Sequence, residues 1–379
     1  MTIFFWLAIA GVIVLLIAAV PYIIYLFGIT FGKKVPVLPQ TSRENLPNVS
    51  VVICAYNEER NIAAKIQNIC ESTYPLDKLE VIIVLDKPDD NTEGVAVDAL
   101  KKTNLNWKTH LNAERMGKNK SVNIGNRLAS HDIIIDTDAD VLCSLNALEM
   151  LVKRLISDES IAAVCGDLQP NKGCDAVTSM ENVYRSFFGR MAEWESANDA
   201  TYSVNGCLLG LKLKAIGEIP EAAGADDANT ALLAIRNGHR TSYENDAKVF
   251  EELPVNFKKQ YSQKARRAKG LIQTTLANRD VLKHDRKFSK VFYPLRICMY
   301  VITPTLFFIG LLLLIIGLAF WLPILLGIIV LLFILITVFK KGNIITSFTL
   351  NQFYLLMGLY SRRKDAVIWV STSKKVGEE

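Results

Sequence analysis

The stretch Ile133-Ile134-Ile135-Asp136-Thr137-Asp138-Ala139-Asp140 ends a β-branched run in alternating carboxylates. Such a run reads as a buried strand of a parallel sheet. Ligands of open α/β sheets bind just outside the carboxyl ends of their strands. Two carboxylates at i and i+2 there can hold a divalent metal against a diphosphate, because hard cations take oxygen ligands. A strand closing in a solvated acidic turn has the same spelling, so the motif alone does not separate the two. Its neighbours add weight. Ala55, Tyr56, Asn57 and Glu58 close a strand over Val49 to Ile53, and Asp86 closes another over Leu79 to Leu85. One aromatic ring and several hydrogen-bonding side chains on a common rim suit a nucleobase and its ribose.

The elements that would carry these residues alternate between strand and helix. Ile62, Ile66 and Ile69 give Asn61 to Cys70 a helical period, with Asn57 as its expected cap and Glu58 and Glu59 at its positive end. Helices are also expected over Gly94 to Lys102, from Lys118 through about Ala129, and over Ala228 to Asn237. This order predicts an α/β fold, a parallel sheet with helices on both faces. No Gly-x-Gly-x-x-Gly follows the first strand and no phosphate-binding Gly-x-x-x-x-Gly-Lys-Ser/Thr occurs, which disfavours dinucleotide cofactors and P-loop triphosphates.

The 379 residues are half apolar, and that excess gathers at the ends. Met1 to Gly32 and Ile297 to Phe339 contain no charged residue. A transmembrane helix needs about 20 apolar residues. The chain therefore divides into an N-terminal anchor (1–32), a cytosolic domain (33–290), a transmembrane helix pair (291–341), and an interfacial amphipathic helix with a cytosolic tail (342–379). Trp321 and Pro323 suit the turn of the pair at a membrane interface. Lys33 and Lys34, then Arg286, Lys287, Lys290 and Arg296, then Lys340 and Lys341 all fall on one side of these crossings. The positive-inside rule makes that side cytoplasmic in a multi-pass protein of the cell membrane. Seven cysteines without metal-ligand spacing read as small core residues of a reducing compartment. A net charge of +5 without basic-aromatic interleaving argues against nucleic acid.

Taken in order, Ala55-Tyr56-Asn57-Glu58, Asp86, Arg115-x-Gly-Lys118, Asp138-Ala139-Asp140, Val204-Asn205-Gly206, Gly224-Ala225-Asp226-Asp227 and Gln263-Lys264-Ala265-Arg266-Arg267 resemble the membrane-integrated inverting glycosyltransferases of family 2. Cellulose, chitin, hyaluronan and poly-N-acetylglucosamine synthases are of that kind. The resemblance implies the GT-A fold, a Rossmann-like nucleotide-diphospho-sugar transferase domain, and a UDP-sugar donor. It implies Mg²⁺ or Mn²⁺ held by Asp140, with Asp138 near the ribose and metal, and Lys118 on the diphosphate or sugar. Asp86 would hold the uracil or ribose side. Asp227 stands at the position of the general base, which takes the acceptor's hydroxyl proton; an N-terminal helix cap or first-turn acid is the plainer role for Asp226 and Asp227. Gln263, Arg266 and Arg267 match a Gln-x-x-Arg-Trp motif, with Arg267 where the family has tryptophan. That departure leaves the phosphate-directed Arg266 in place and puts polymer elongation in doubt. Tyr184, Phe187, Phe188 and Trp194 either line an acceptor groove or pack a helix.

Three readings follow. The first is a metal-dependent transferase, which the later motifs tilt towards a processive polysaccharide synthase whose pore an interface helix or oligomerisation could complete. The second is single transfer to a lipid or lipid-linked acceptor. The third is an inactive, membrane-anchored nucleotide-binding scaffold, which would require Asp138, Asp140 or Asp227 to be missing.

Overall fold

Val49–Ala55 (β1) and Leu79–Leu85 (β2) are buried along their whole length. Alternate residues of each strand serve two different cores. Val51, Ile53 and Ala55 pack with Ile62 and Ile66 of Ile62–Cys70 (α2), Ala96 of Thr92–Leu100 (α3) and Leu151 of Ala147–Ile156 (α5). Val52, Cys54, Ile82 and Val84 pack on the other face with Val122 of Lys118–Leu128 (α4) and Ala192 of Ala176–Asn198 (α6). Side chains alternate faces along a strand, so an all-apolar strand needs helices on both sides. In the computed structural model, residues 2–38, 42–171, 176–219, 224–252, 257–339 and 343–360 are described. The tail 361–379, the Lys340 and Lys341 cluster and Cys174 lie outside them.

The chain divides into two units. The first, residues 34–171 and 192–257, holds an eight-stranded sheet of order β3-β2-β1-β4-β7-β6-β8-β5. The remaining strands are Asn106–Leu111 (β3), Ile133–Asp138 (β4), Val141–Cys143 (β5), Ile161–Pro170 (β6), Leu208–Lys212 (β7) and Arg240–Glu251 (β8). Strands β3, β2, β1 and β4 are parallel, as expected. Beyond them the expectation of a parallel sheet is corrected: β7 runs antiparallel to both β4 and β6, and β5 antiparallel to β8. The reversal has a consequence for chemistry. Leu208, at the start of β7, pairs with Thr137 near the end of β4, so the Gly206-Cys207 turn arrives beside the acidic residues.

Helix bounds shift slightly. The helix expected from Gly94 begins at Thr92, and the one expected from Ala228 begins at Asp226 (Asp226–Arg236, α8, which follows the short Leu213–Ile216, α7). The proposed Asn57 cap is also corrected. Asn61 precedes α2 without a side-chain cap, while Asn57 Oδ1 accepts the Asp89 N–H at 2.8 Å. With a φ of 55°, Asn57 turns the chain out of β1 instead of starting the helix.

The second unit, residues 2–33, 172–191 and 258–360 among those described, is helical. Thr2–Phe31 (α1) and a continuous helix over Phe288–Trp321 are each long and apolar enough to cross a membrane, by length and composition. The latter opens with a π-helical turn at Phe288–Phe292, and a second at Cys298–Ile302 joins Tyr293–Ile297 (α10) to Thr303–Trp321 (α11). It follows Phe257–Ala277 (α9) and precedes Pro323–Phe339 (α12) and Ile344–Tyr360 (α13). Glycines let α1 and α11 approach backbone to backbone. A Cβ on Gly317 would lie 2.4 Å from the Ala8 nitrogen, and one on Gly11 2.5 Å from the Leu314 nitrogen. Gln352 of α13 is fully buried and donates to Tyr22 Oη at 2.7 Å. Tyr184, Phe187 and Phe188 of α6 pack here: Tyr184 on Phe188, Phe187 on Tyr22, and Phe188 under the buried Arg296 guanidinium.

Candidate active site

Three strand ends of the sheet unit supply the polar residues. At the end of β1, Ala55 accepts the Asp86 N–H and so joins the ends of β1 and β2. Tyr56 donates to Asp89 Oδ2 at 2.8 Å, and the Arg115 guanidinium lies 3.8 Å above the centre of its ring. That cation–π contact covers one face of the ring with the guanidinium. Glu58 is buried; its carboxylate accepts from the Asn61 amide and its backbone N–H donates to Thr92 Oγ1 at 2.8 Å.

Asp86 is fully buried at the end of β2. Its Oδ1 accepts the Met116 N–H at 2.7 Å and the Asn112 amide at 2.9 Å, and its Oδ2 accepts the Gly117 N–H at 2.9 Å. The carboxylate therefore shapes the loop that leads into α4 and presents Lys118. Gly117 adopts a φ of 85°, a conformation glycine takes without strain. Asn112, absent from the sequence reading, bridges Asp86 and Ser121. A lone asparagine after a strand carries no signal in one sequence.

The overlapping Asp136, Asp138 and Asp140 separate by environment. Asp136 lies within β4, buried, and burial pushes its carboxyl up to about 8, with the Asp138 and Asp226 charges adding to the rise. Asp138 closes the strand at the rim and pairs with Lys118 Nζ at 2.6 Å. Burial works against the Lys118 charge, but the Asp138 and Asp226 carboxylates outweigh it and hold the ammonium well above the usual lysine range. Asp140 is half-buried in the turn before β5.

Asp227 stands in the first turn of α8, where the helix dipole favours an anion. Its Oδ1 accepts the Ala228 N–H at 2.7 Å and its Oδ2 the Gly206 N–H at 3.1 Å. Gly206 is the pivot of the site. A Cβ there would sit 3.1 Å from Lys118 Nζ and 3.8 Å from Asp227 Cβ. The missing side chain leaves a space flanked by the ammonium and the carboxylate. Gln263, Arg266 and Arg267 lie on α9 of the helical unit, the first two half-buried and Arg267 exposed.

An aromatic ring, a buried loop-shaping carboxylate, an acidic turn and a facing carboxylate thus gather at the strand ends of the sheet unit. Residues 50–216 match the model of the family described as Glycosyl transferase family 2. The chain is 28% identical over 291 residues to the probable glycosyltransferase YdaM of Bacillus subtilis, covering 74% of this chain and 68% of that protein. It is 24% identical to the poly-beta-1,6-N-acetyl-D-glucosamine synthase of Staphylococcus aureus, covering 61% of this chain and 56% of that one. Among solved structures, the mannosyltransferase PcManGT from Pyrobaculum calidifontis, in complex with GDP-Man and Mn²⁺, superposes with a TM-score of 0.76 at 25% identity. That match covers 94% of this chain and 97% of the other. The protein is a glycosyltransferase: residues 50–216, which match the family 2 model, form most of a GT-A-like mixed α/β sheet, and two apolar helices lie outside that span.

Proposed function

We propose that this glycosyltransferase moves a sugar, with inversion, from a nucleoside-diphosphate sugar to a membrane-associated glycan or lipid acceptor. The observation that carries the proposal is the gathering of Lys118, Asp138 and Asp227 around Gly206. Tyr56 and the Asp86-held loop would take the nucleoside, and Lys118 the diphosphate. Asp227, already oriented by two backbone N–H groups, would take the proton of the acceptor hydroxyl as it attacks the anomeric carbon.

The donor set at the acidic turn fits a nucleotide-borne cation. Asp138 and Asp140 offer two carboxylates at a rim, and among the described residues no group of three or more His, Cys, Asp or Glu forms a dedicated cage. Mg²⁺ and Mn²⁺ suit such a site, bound by one or two carboxylates together with substrate phosphates. When bound, such an ion supplies neutralisation of the charge on the leaving diphosphate.

The sequence resemblance favours a UDP-linked donor and polymer extension, in line with the likeness to the staphylococcal synthase. The likeness to a mannosyltransferase holding GDP-Man favours a second reading, a GDP-linked donor. The two apolar helices and the basic clusters beside them support a membrane protein with its catalytic unit in the cytoplasm. Detergent-purified protein incubated with UDP- and GDP-sugars and membrane lipid extract tests all of this. Free nucleoside diphosphate should be released from one donor, require Mn²⁺ or Mg²⁺, and stop on adding EDTA. Product size separates polymer from single addition. Turnover undiminished in EDTA, or no binding of either nucleotide, would refute the proposal.

A further inference from the structure

Lys65 has no exposed surface. It stands in the apolar stripe of α2, between Ile62, Ile66 and Ile69, a setting in which a charge is expensive unless it is held. Its ammonium donates to Thr137 Oγ1 at 2.8 Å and to the Val141 carbonyl at 3.1 Å, and lies 3.6 Å from Cys143 Sγ. All three acceptors are neutral, and among the described residues no carboxylate pairs with it. What they share is their position. Thr137 immediately precedes Asp138 and Val141 immediately follows Asp140, so one cation grips both ends of the acidic turn. Thr137 Oγ1 extends the hold by donating to the Cys207 carbonyl at 2.7 Å. Cys207 adjoins Gly206, whose N–H orients Asp227. The turn that would meet the cation and the turn that orients the proposed base are thus tied through one ammonium and one hydroxyl.

We infer that Lys65 is a positioning residue, a buried cationic brace that aims Asp138 and Asp140 at the cation of the nucleoside-diphosphate donor. The inference rests on the donor reading above. Stability alone gives no reason for a lysine here, since an apolar side chain of similar volume commonly replaces a buried ion at no loss. Groups that orient metal ligands from behind, by contrast, strongly affect metal affinity. The signal was present in the sequence as a lysine on the apolar face of a helix.

The test uses full-length protein in detergent and calorimetric titration of Mn²⁺ in the presence of UDP or GDP, beside melting curves. Lys65→Met should melt at or above the wild-type temperature. Its Mn²⁺ affinity in the presence of nucleotide should fall by about 10–100-fold, while nucleotide binding in EDTA stays the same. Thr137→Val, which keeps the ammonium and removes the hydroxyl link, should weaken Mn²⁺ in the same direction. A folded Lys65→Met with unchanged Mn²⁺ affinity would overturn the inference. Should that variant fail to fold, unchanged Mn²⁺ affinity in Thr137→Val would overturn it instead. Wild-type protein that binds neither nucleotide would sink the donor reading itself, and the brace with it.

Discussion

Asp136, Asp138 and Asp140 are identical in type and differ only in where the backbone leaves them. Burial pushes the Asp136 carboxyl up to about 8, which favours its neutral form at pH 7, so Asp136→Asn should leave turnover near the wild-type value. Asp140→Asn should abolish metal-dependent release of nucleoside diphosphate, and Asp227→Asn should lower kcat by about 10²–10⁴-fold with the KM for donor little changed. A coupled assay for released UDP or GDP reads all three; an inactive Asp136→Asn would move the metal role into the strand. The candidate residues at strand ends were legible because polar side chains after apolar runs have few other reasons to be there. Asn112 and Thr137 were not, since each acts through a partner tens of residues away; Lys65 showed only as a lysine on the apolar face of a helix.

At the scale of elements, the base of the sheet is held by a carboxylate far from the chemistry. Glu80, fully buried near the start of β2, accepts from Ser50 Oγ at 2.6 Å, from the Ser130 N–H and Oγ at 2.8 Å each, and pairs with Lys108 at 2.8 Å. Burial alone would raise its pKa, but the bonds from Lys108, Ser130 and Ser50 prevail and bring it down to about 2. A depressed carboxylate stabilises the fold above its unfolded value of about 4.3, and that stability is lost as pH falls towards 2. Glu80→Gln should therefore cost on the order of 2–3 kcal/mol at pH 7, with the gap to wild type closing between about pH 4 and 2 in melting curves. A gap independent of pH would refute this account. In the helical unit, Gly317→Leu should force α1 from α11 and cost on the order of 1–3 kcal/mol, measured by melting in detergent. Helix positions were readable from period and caps; strand direction was not. Leu208 to Lys212 is equally apolar read either way, and only pairing with Ile133 to Thr137 makes β7 antiparallel.

For the molecule as a whole, the two units follow opposite solvent rules. The helical unit leaves large apolar side chains such as Leu16, Phe27, Leu312 and Phe320 exposed, whereas the sheet unit buries its own in two cores. Exposed apolar surface on this scale suits contact with lipid or with another protein; on the membrane reading proposed above, the full chain should stay in the membrane pellet after an alkaline carbonate wash. Release into the supernatant would contradict the membrane assignment. Apolar runs, acidic strand ends and the order of motifs determined the α/β class, the apolar helices and the residues that could do chemistry, because burial and local backbone preference are written residue by residue. Tertiary structure alone decided which of three aspartates reaches the rim, that Asp86 shapes a loop from within, and that Gly206 leaves room between Lys118 and Asp227. Those outcomes depend on contacts between residues distant in the chain, where direction, burial and charge are set by partners that no local pattern names.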